Sequence, residues 1–249
     1  MKTSFATVAL TIFAVSALLG PASRLEAVTK SKVEDRLHNS ALVMKEAMGV
    51  HSHIPQGLLQ KAHCVIVIPS VMKGAFGIGG SYGRGVMTCR GGKDSDGPWT
   101  SPTMMALEGA SVGFQVGGQA TDFVLLVMSE RGARSILSGK GKIGGDISGS
   151  AGPVGRNLQA NLDVYLRTSI LTYSRSRGLF GGVSLDGSTL RPDNKANQAL
   201  YGTKVSAKAI VLENAVPMPV PAEELVSTLY EHGQKPPKEK VVVSATSER

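Results

Sequence analysis

The sequence GIGGSYGRGV, residues 77–86, alternates large and bare positions with a period of two. Apart from one glycine, its even positions hold Ile78, Tyr82, Arg84 and Val86, whereas its odd positions hold only glycine or serine. In a β-strand this period places the two classes on opposite faces. A strand with one nearly bare face indicates that another part of the chain packs closely against it.

The same stretch contains Gly79, Ser81 and Gly83, which fit G-x-S-x-G, the nucleophile motif of serine hydrolases. That motif requires a sharp turn from a strand into a helix, with the serine at its tip. Here the alternation continues past Ser81, and the only later histidine is His232. We therefore predict that Ser81 is a small strand residue and that the chain has no catalytic site and is not an enzyme.

The glycine pattern recurs in residues 109–120 and, more weakly, in residues 143–152. The apolar run 64–71 predicts a buried strand stopped by Pro69, and alternation in residues 161–173 and the run 181–185 predict further strands. Several glycine-faced strands in succession favour a strongly bent sheet. The predicted fold class is α+β, with a glycine-rich antiparallel β-sheet or partly closed barrel and flanking helices.

Helices are predicted on both sides of this β-rich region. Apolar residues three and four apart predict an amphipathic helix over 31–50, and a short helix follows over 54–62. Ser129 and Ser206 are suitable N-caps for two further helices. Another short helix is predicted at 196–201, and a last one at 222–231 after a proline-rich spacer.

The N-terminus has the pattern of a secretory signal peptide, with Lys2 before an apolar segment over residues 5–19. Small residues place the cleavage after Ala22, or as late as Ala27, and an uncleaved anchor is the alternative. The predicted organisation is a signal peptide at 1–22, a domain at 31–214, and a segment at 215–249 that holds the proline-rich spacer, a short helix and a polar tail. We expect an exported protein, periplasmic or secreted, that can associate peripherally with a membrane.

The chain has two cysteines, Cys64 and Cys89. In an exported protein one disulfide between them is plausible. Two buried thiols on separate strands are the alternative, and the sequence leaves both open.

The formal net charge is +8, which favours anionic partners, although solubility alone is an alternative explanation. Nucleic acid is not expected as a partner, because aromatic residues make up only 5% of the chain and bases stack on aromatic side chains. The spacing of His51, His53, His63 and Cys64 matches no structural zinc pattern. Neither a dinucleotide-binding nor a P-loop motif occurs. We therefore predict no metal site and no cofactor.

Four long segments occur in an order that resembles the SYLF domain family. They are IPQGLLQKAHCVIVIPSVMKGAFGIGGSYGRGV from residue 54, SVGFQVGGQATDFVLLVMSERGARSIL from 111, GGDISGSAGPVGR from 144 and TYSRSRGLFGGVSLDG from 172. The resemblance covers roughly residues 31–214. Members of this family include proteins that bind phosphoinositides and yeast proteins that bind actin filaments. The resemblance implies non-catalytic binding of anionic phospholipid at the cell envelope, and a scaffold that binds an envelope protein or a polymer is the alternative.

The residues around Ser176 suit a membrane surface. Arg175 and Arg177 stand directly before Leu179 and Phe180, so that two cations and two apolar side chains are close in sequence. In the alternative interpretation this segment is a structural turn whose phenylalanine enters the core. The predicted lipid-binding set also contains Lys73, Arg84, Lys140 and Lys142.

Overall fold

The computed structural model describes residues 21–49, 54–76, 78–92, 95–112, 117–139, 141–153, 162–176, 179–182 and 185–233. The helices are α1 (Pro21–Met48), α2 (Gln56–Lys61), α3 (Glu130–Leu137), α4 (Leu162–Arg167), α5 (Asn194–Tyr201), α6 (Ala207–Val211) and α7 (Glu223–Gly233), with a 3-10 turn at Val220–Ala222. The strands are β1 (Cys64–Phe76), β2 (Ile78–Cys89), β3 (Thr103–Val112), β4 (Gly117–Val127), β5 (Gly141–Lys142), β6 (Gly149–Ala151), β7 (Ile170–Ser176), β8 (Leu179–Gly182) and β9 (Ser188–Pro192).

The described strands form one curled sheet in the order β5-β9-β3-β2-β1-β4-β7-β6, and β8 pairs with β7. All pairs are antiparallel except β6 and β7, which run parallel. Helices pack on both faces of the sheet, so the predicted α+β class is confirmed. One apolar core lies between the sheet and α1, α2, α5 and α7, and a second lies between its other face and α3 and α6.

The bare face of β2 lies against an irregular segment of β1. A Cβ at Gly85 would overlap the carbonyl oxygen of Val67, and a Cβ at Gly83 would lie 2.7 Å from Val71 Cγ2. The register of β1 shifts between Val67 and Met72 against β2 and between Ile68 and Val71 against β4. The glycines are therefore required because β1 folds closely over β2 at this bulge.

The prediction that Pro69 stops the first strand is wrong, because β1 continues to Phe76. Neither Pro69 nor Ser70 has a partner in the strand register, so the missing N–H of proline breaks no ladder hydrogen bond. Ser70 has a positive φ of 50°, and its N–H donates to Asp122 at 2.8 Å. A carboxylate on β4 thus holds the bulge.

Other element boundaries also differ from the sequence-based predictions. Residues 109–120 do not form one strand, since they run from the end of β3 into the start of β4. Residues 161–173 are not a continuous strand, since helix α4 precedes β7. Helix α1 begins at Pro21, ten residues earlier than predicted. The two predicted caps are confirmed, because Ser129 accepts from Gly132 N–H and Ser206 accepts from Ala209 N–H.

Helix α7, which the sequence placed after the domain, belongs to the same core as α1. Its Leu225 and Leu229 are fully buried, together with Ala222 of the preceding turn. The core therefore extends past residue 214. Among the helices that the structure describes, none is both long and apolar enough to cross a bilayer.

Cys64 and Cys89 are joined by a disulfide with an S–S distance of 2.11 Å. They are directly opposed in the register of β1 and β2, and both are buried. The bond therefore links the start of β1 to the end of β2, at the end of the hairpin remote from its turn.

Candidate functional site

A groove of about 710 Å³ lies between the middle of α1, the β1–β2 hairpin and the start of α5. We call it the basic groove. Four cationic side chains line it, namely Lys32, Arg36, Arg84 and Lys195. Helix α1 supplies two of them, β2 supplies one and α5 supplies one, so only the folded chain brings them together.

Asp193 holds two of these arginines in place. Its Oδ2 accepts from Arg36 Nη1 at 3.2 Å and from Arg84 Nη1 at 3.0 Å, while its Oδ1 accepts from Ala196 N–H and caps α5. Burial lowers the pKa of Arg36, and the adjacent Asp193 acts in the opposite direction. One carboxylate thus faces two guanidinium groups, and one positive charge is left uncompensated.

The uncompensated charge is carried mainly by Arg84, because its side chain is 51% exposed whereas that of Arg36 is 9% exposed. Arg84 Nε donates to the Tyr82 hydroxyl, and this bond raises the pKa of Arg84. The guanidinium also lies 5.7 Å from the centre of the Tyr82 ring. Arg84 is therefore oriented by two neighbours and remains open to the groove.

An exposed apolar pair, Met72 and Tyr82, lies beside these cations. The two residues are cross-strand partners on β1 and β2, and they are 57% and 44% exposed. Exposed large apolar side chains are informative when they adjoin each other within a recess. The basic groove therefore combines an apolar surface with positive charge.

The charge balance of the groove is positive. Among the described residues, four cations line it, while the carboxylates are Asp35 on its wall and Asp193 beneath the arginines. Within the described part of the chain, neither Lys32 nor Lys195 forms an ion pair with a carboxylate. The arrangement therefore attracts anionic groups that also carry apolar surface.

A neighbouring arginine differs from Arg84 in its partner. Arg191 on β9 makes two hydrogen bonds to the Glu108 carboxylate, which raise the pKa of Arg191 and lower that of Glu108. This pair is neutral overall. Arg191 is therefore a suitable control for Arg84, because both are exposed arginines on the same face of the sheet and only the charge of Arg191 is neutralised by a carboxylate of its own.

Residues 108–232 match the family model described as Ysc84, "Las17-binding protein actin regulator". Over 204 residues, 81% of this chain, the sequence is 33% identical to protein YSC84 of Saccharomyces cerevisiae. The chain belongs to the Ysc84 family, whose domain is also called SYLF. The SYLF resemblance predicted from the sequence is therefore confirmed.

Other relatives of this Ysc84-family chain have similar identities. LAS seventeen-binding protein 3 of Saccharomyces cerevisiae is 31% identical over 77% of the chain, and SH3 domain-containing YSC84-like protein 1 of Homo sapiens is 29% identical over 82% of it. The matches span 42%, 41% and 60% of the lengths of the three relatives. No solved structure matches the chain.

The structure describes the side chains of three of the eight lipid-binding residues predicted from the sequence, namely Arg84, Lys142 and Arg175. Arg175 forms ion pairs with Glu46 of α1 and, at 2.6 Å, with Asp122 of β4, so it connects α1 to the sheet. The side chains of Lys73, Leu179 and Phe180 lie outside the described residues, as do Arg177 and Lys140 altogether.

Two members of the predicted set lie on the face of the sheet that forms the groove. Arg84 lines the groove itself. Lys142 is exposed on the edge strand β5. Successive cross-strand partners lead from Lys142 to Thr189 on β9, to Glu108 on β3 and to Tyr82 on β2. These two residues connect the predicted set with the site that the structure shows.

Sequence reasoning missed most of the groove. Lys32 and Arg36 lie in a helix of mixed charge, where they look like an ordinary solvated face, and Lys195 and Asp193 lie 157 or more positions away from them. The sequence does contain a signal for Tyr82 and Met72. Their side chains lie on the face of the hairpin that carries the large residues, and this face points away from the closely packed glycine face.

Ser81 lies within β2, where it pairs with Lys73 and Gly109. It is not at a strand-to-helix turn, so its surroundings lack the geometry that the G-x-S-x-G motif requires. Of the residues considered for metal binding, His51 and His53 lie outside the described part of the chain. Among the described residues, no group of three or more His, Cys, Asp or Glu side chains could hold a metal ion.

Proposed function

We propose that this chain is a non-catalytic binding domain that holds an acidic segment of a protein or protein polymer in the basic groove. The observation that supports it most is the combination of four cations with the exposed Met72–Tyr82 pair in one recess. The family description adds support, because it names binding to Las17 and regulation of actin. Acidic segments with an aromatic or aliphatic side chain would satisfy both parts of the groove.

Arg84 is the residue from which recognition would start. Its guanidinium carries charge that Asp193 does not neutralise, and Tyr82 and Asp193 fix its orientation. A preoriented cation loses little conformational freedom when it binds a carboxylate. Lys32 and Lys195 would add longer-range attraction, and the apolar pair would cover a hydrophobic side chain of the partner.

The test measures fluorescence anisotropy of a labelled glutamate-rich peptide that carries a central phenylalanine. Wild-type protein is compared with a variant in which Lys32, Arg84 and Lys195 are all changed to Gln, and with Arg191→Gln as the matched control. Losing three exposed charge pairs of about 0.5 kcal/mol each predicts binding about tenfold weaker. Arg191→Gln is expected to bind as the wild type does, because Arg191 is already paired with Glu108.

Equal binding by the triple variant and the wild type would overturn the proposal. Sedimentation with filamentous actin tests the same variants on the polymer that the family description names. Binding to actin that fails in the triple variant and persists in the control supports the groove as the contact surface. Binding that is the same in both variants places the contact elsewhere.

Anionic lipid is a second candidate ligand, and the exposed Met72–Tyr82 pair beside Arg84 also favours it. Apolar side chains among acyl chains with cations at the headgroups are a common form of peripheral attachment. Co-sedimentation with vesicles of phosphatidylserine and phosphatidylcholine separates the two candidates. If vesicle binding is lost on Arg175→Glu with Arg177→Glu and unaffected by the groove variant, the lipid surface is the one predicted from the sequence.

We further propose that the chain is exported and acts in the cell envelope or outside the cell. The signal-peptide pattern before residue 22 supports this, and so does the buried disulfide between Cys64 and Cys89. Disulfides persist mainly in oxidising compartments. Fractionation of cells that express the full chain, with mass spectrometry of its mature N-terminus, tests it, and a reduced protein with an intact N-terminus in the cytosol would contradict it.

A further inference from the structure

The eight methionines that the structure describes differ greatly in exposure. Met72 is 57% exposed. Met48 and Met218 are partly buried, and the other five are buried, namely Met44, Met87, Met104, Met105 and Met128. Oxidation of a thioether requires access by the oxidant, and Met72 is the most exposed of these methionines.

The position of Met72 makes this difference relevant to binding. Met72 follows the β1 bulge, lines the basic groove and has Tyr82 as its cross-strand partner. On its other side it pairs with Ala120, which is also exposed. The thioether therefore belongs to the apolar surface that an occupant of the groove would cover.

We propose that Met72 is a site of reversible oxidation by a peroxide, and that its oxidation weakens partner binding in the groove. The effect on binding rests on the function proposed above, whereas the modification site does not. The thioether sulfur attacks one peroxide oxygen and the O–O bond breaks. The sulfur loses two electrons and becomes a sulfoxide, and hydrogen peroxide is reduced to water.

No free thiol competes for the oxidant, because the two cysteines of the chain are joined in the disulfide. Oxidation replaces an apolar thioether by a strongly polar group. An apolar side chain of the partner would then desolvate the sulfoxide oxygen without giving it a hydrogen bond. Reduction of the sulfoxide by a thiol-dependent methionine sulfoxide reductase restores the thioether.

The modification is tested by titrating the folded protein with hydrogen peroxide and analysing tryptic peptides by mass spectrometry. After reduction and alkylation of the disulfide, the peptide of residues 62–73 contains Met72 as its only methionine. We expect Met72 to be half oxidised at a peroxide dose at which Met87, Met104 and Met105 remain unmodified. Equal oxidation of Met72 and these buried methionines in the folded protein would overturn the assignment.

The consequence is tested with the glutamate-rich phenylalanine peptide described above. A loss of about 1 kcal/mol of apolar contact predicts binding about fivefold weaker after oxidation of the wild type. Met72→Leu has no thioether at this position, so its affinity is expected to be the same before and after peroxide treatment, whatever its starting value. An equal loss of binding in treated Met72→Leu would show that another residue is responsible.

These experiments distinguish a failure of the proposed binding function from a failure of the oxidation proposal. If the untreated protein does not distinguish the groove variant from the Arg191→Gln control, the proposed function fails and the peptide mapping still decides the modification site. If the groove binds the peptide and oxidation of Met72 leaves the affinity unchanged, the proposed function stands and the regulatory effect is refuted.

Discussion

Arg36 of α1 donates to the Asp193 carboxylate at 3.2 Å, and the two side chains are only 9% and 11% exposed. The pair joins positions 157 residues apart in the sequence. It fixes α1 over the sheet beside the groove, so that the site and the stability of the fold depend on the same carboxylate. Removing one partner of a buried ion pair leaves the other charge uncompensated.

Asp193→Ala is therefore expected to lower the free energy of unfolding by about 3 kcal/mol, measured by urea denaturation at neutral pH. Asp193→Asn also removes the charge but keeps an oxygen that can cap α5, so its effect should be about 1 kcal/mol smaller. Glu108→Gln, which breaks the exposed pair with Arg191, is the control and should cost at most about 1 kcal/mol. Equal stabilities of Asp193→Ala and the wild type would refute the role of this pair.

Gly85→Ala is expected to destabilise the protein by about 3 kcal/mol, because its Cβ would overlap the Val67 carbonyl oxygen and β1 would have to move. Gly80→Ala, on the same strand, is the matched control. Its Cβ would meet only Gly109 O at 3.6 Å, an ordinary contact, so its stability should change by less than about 1 kcal/mol. Similar losses in the two variants would mean that strand propensity, and not close packing, explains the glycines.

The glycine alternation is enough to predict that another part of the chain packs against β2, because few other physical causes explain a strand face without side chains. It could not identify the β1 bulge as the partner, since Pro69 is equally compatible with a strand end. The sequence of the short helix α4 is ambiguous, because six residues are too few to separate a period of 3.6 from a period of two. The ends of such elements are decided by tertiary contacts that no local pattern contains.

The candidate site was less predictable than the fold. Arg84 was identified because it is a cation on a strand whose large face was visible in the sequence. Arg36 and Lys195 were not, since each lies in a helix whose pattern only predicts an exposed face. Arg175 illustrates the opposite case, because its sequence neighbours favour a membrane surface while the fold places Glu46 and Asp122 beside it.

Reduction of the disulfide is expected to lower the free energy of unfolding by about 3 kcal/mol, since it releases a loop with a sequence separation of 25. The measurement is urea denaturation with and without dithiothreitol. Cys64→Ala with Cys89→Ala serves as the control, because reductant should not change its stability further. Identical denaturation curves of the wild type in both conditions would show that the bond contributes nothing to stability.

The contact between α1 and α7 is expected to depend on pH through Glu224. Its carboxylate accepts from Lys45 Nζ at 2.8 Å and lies 3.1 Å from His38 Nδ1, and the hydrogen bond from Lys45, followed by that from His38, lowers the pKa of Glu224. A carboxyl group whose pKa is lower in the folded state stabilises the fold above its unfolded pKa of about 4.3. That contribution is lost as the pH falls through the folded value.

Glu224→Gln should therefore be less stable than the wild type at neutral pH and should approach it in strongly acidic solution, where both side chains are neutral. Urea midpoints measured across the acidic range give this difference directly. Glu223→Gln removes the same charge from the first turn of the same helix, and within the described residues Glu223 forms no ion pair, so its difference from the wild type should vary much less with pH. A Glu224→Gln difference that stays constant down to the lowest pH would mean that packing of Leu225 and Leu229, and not the carboxylate, holds α7 against α1.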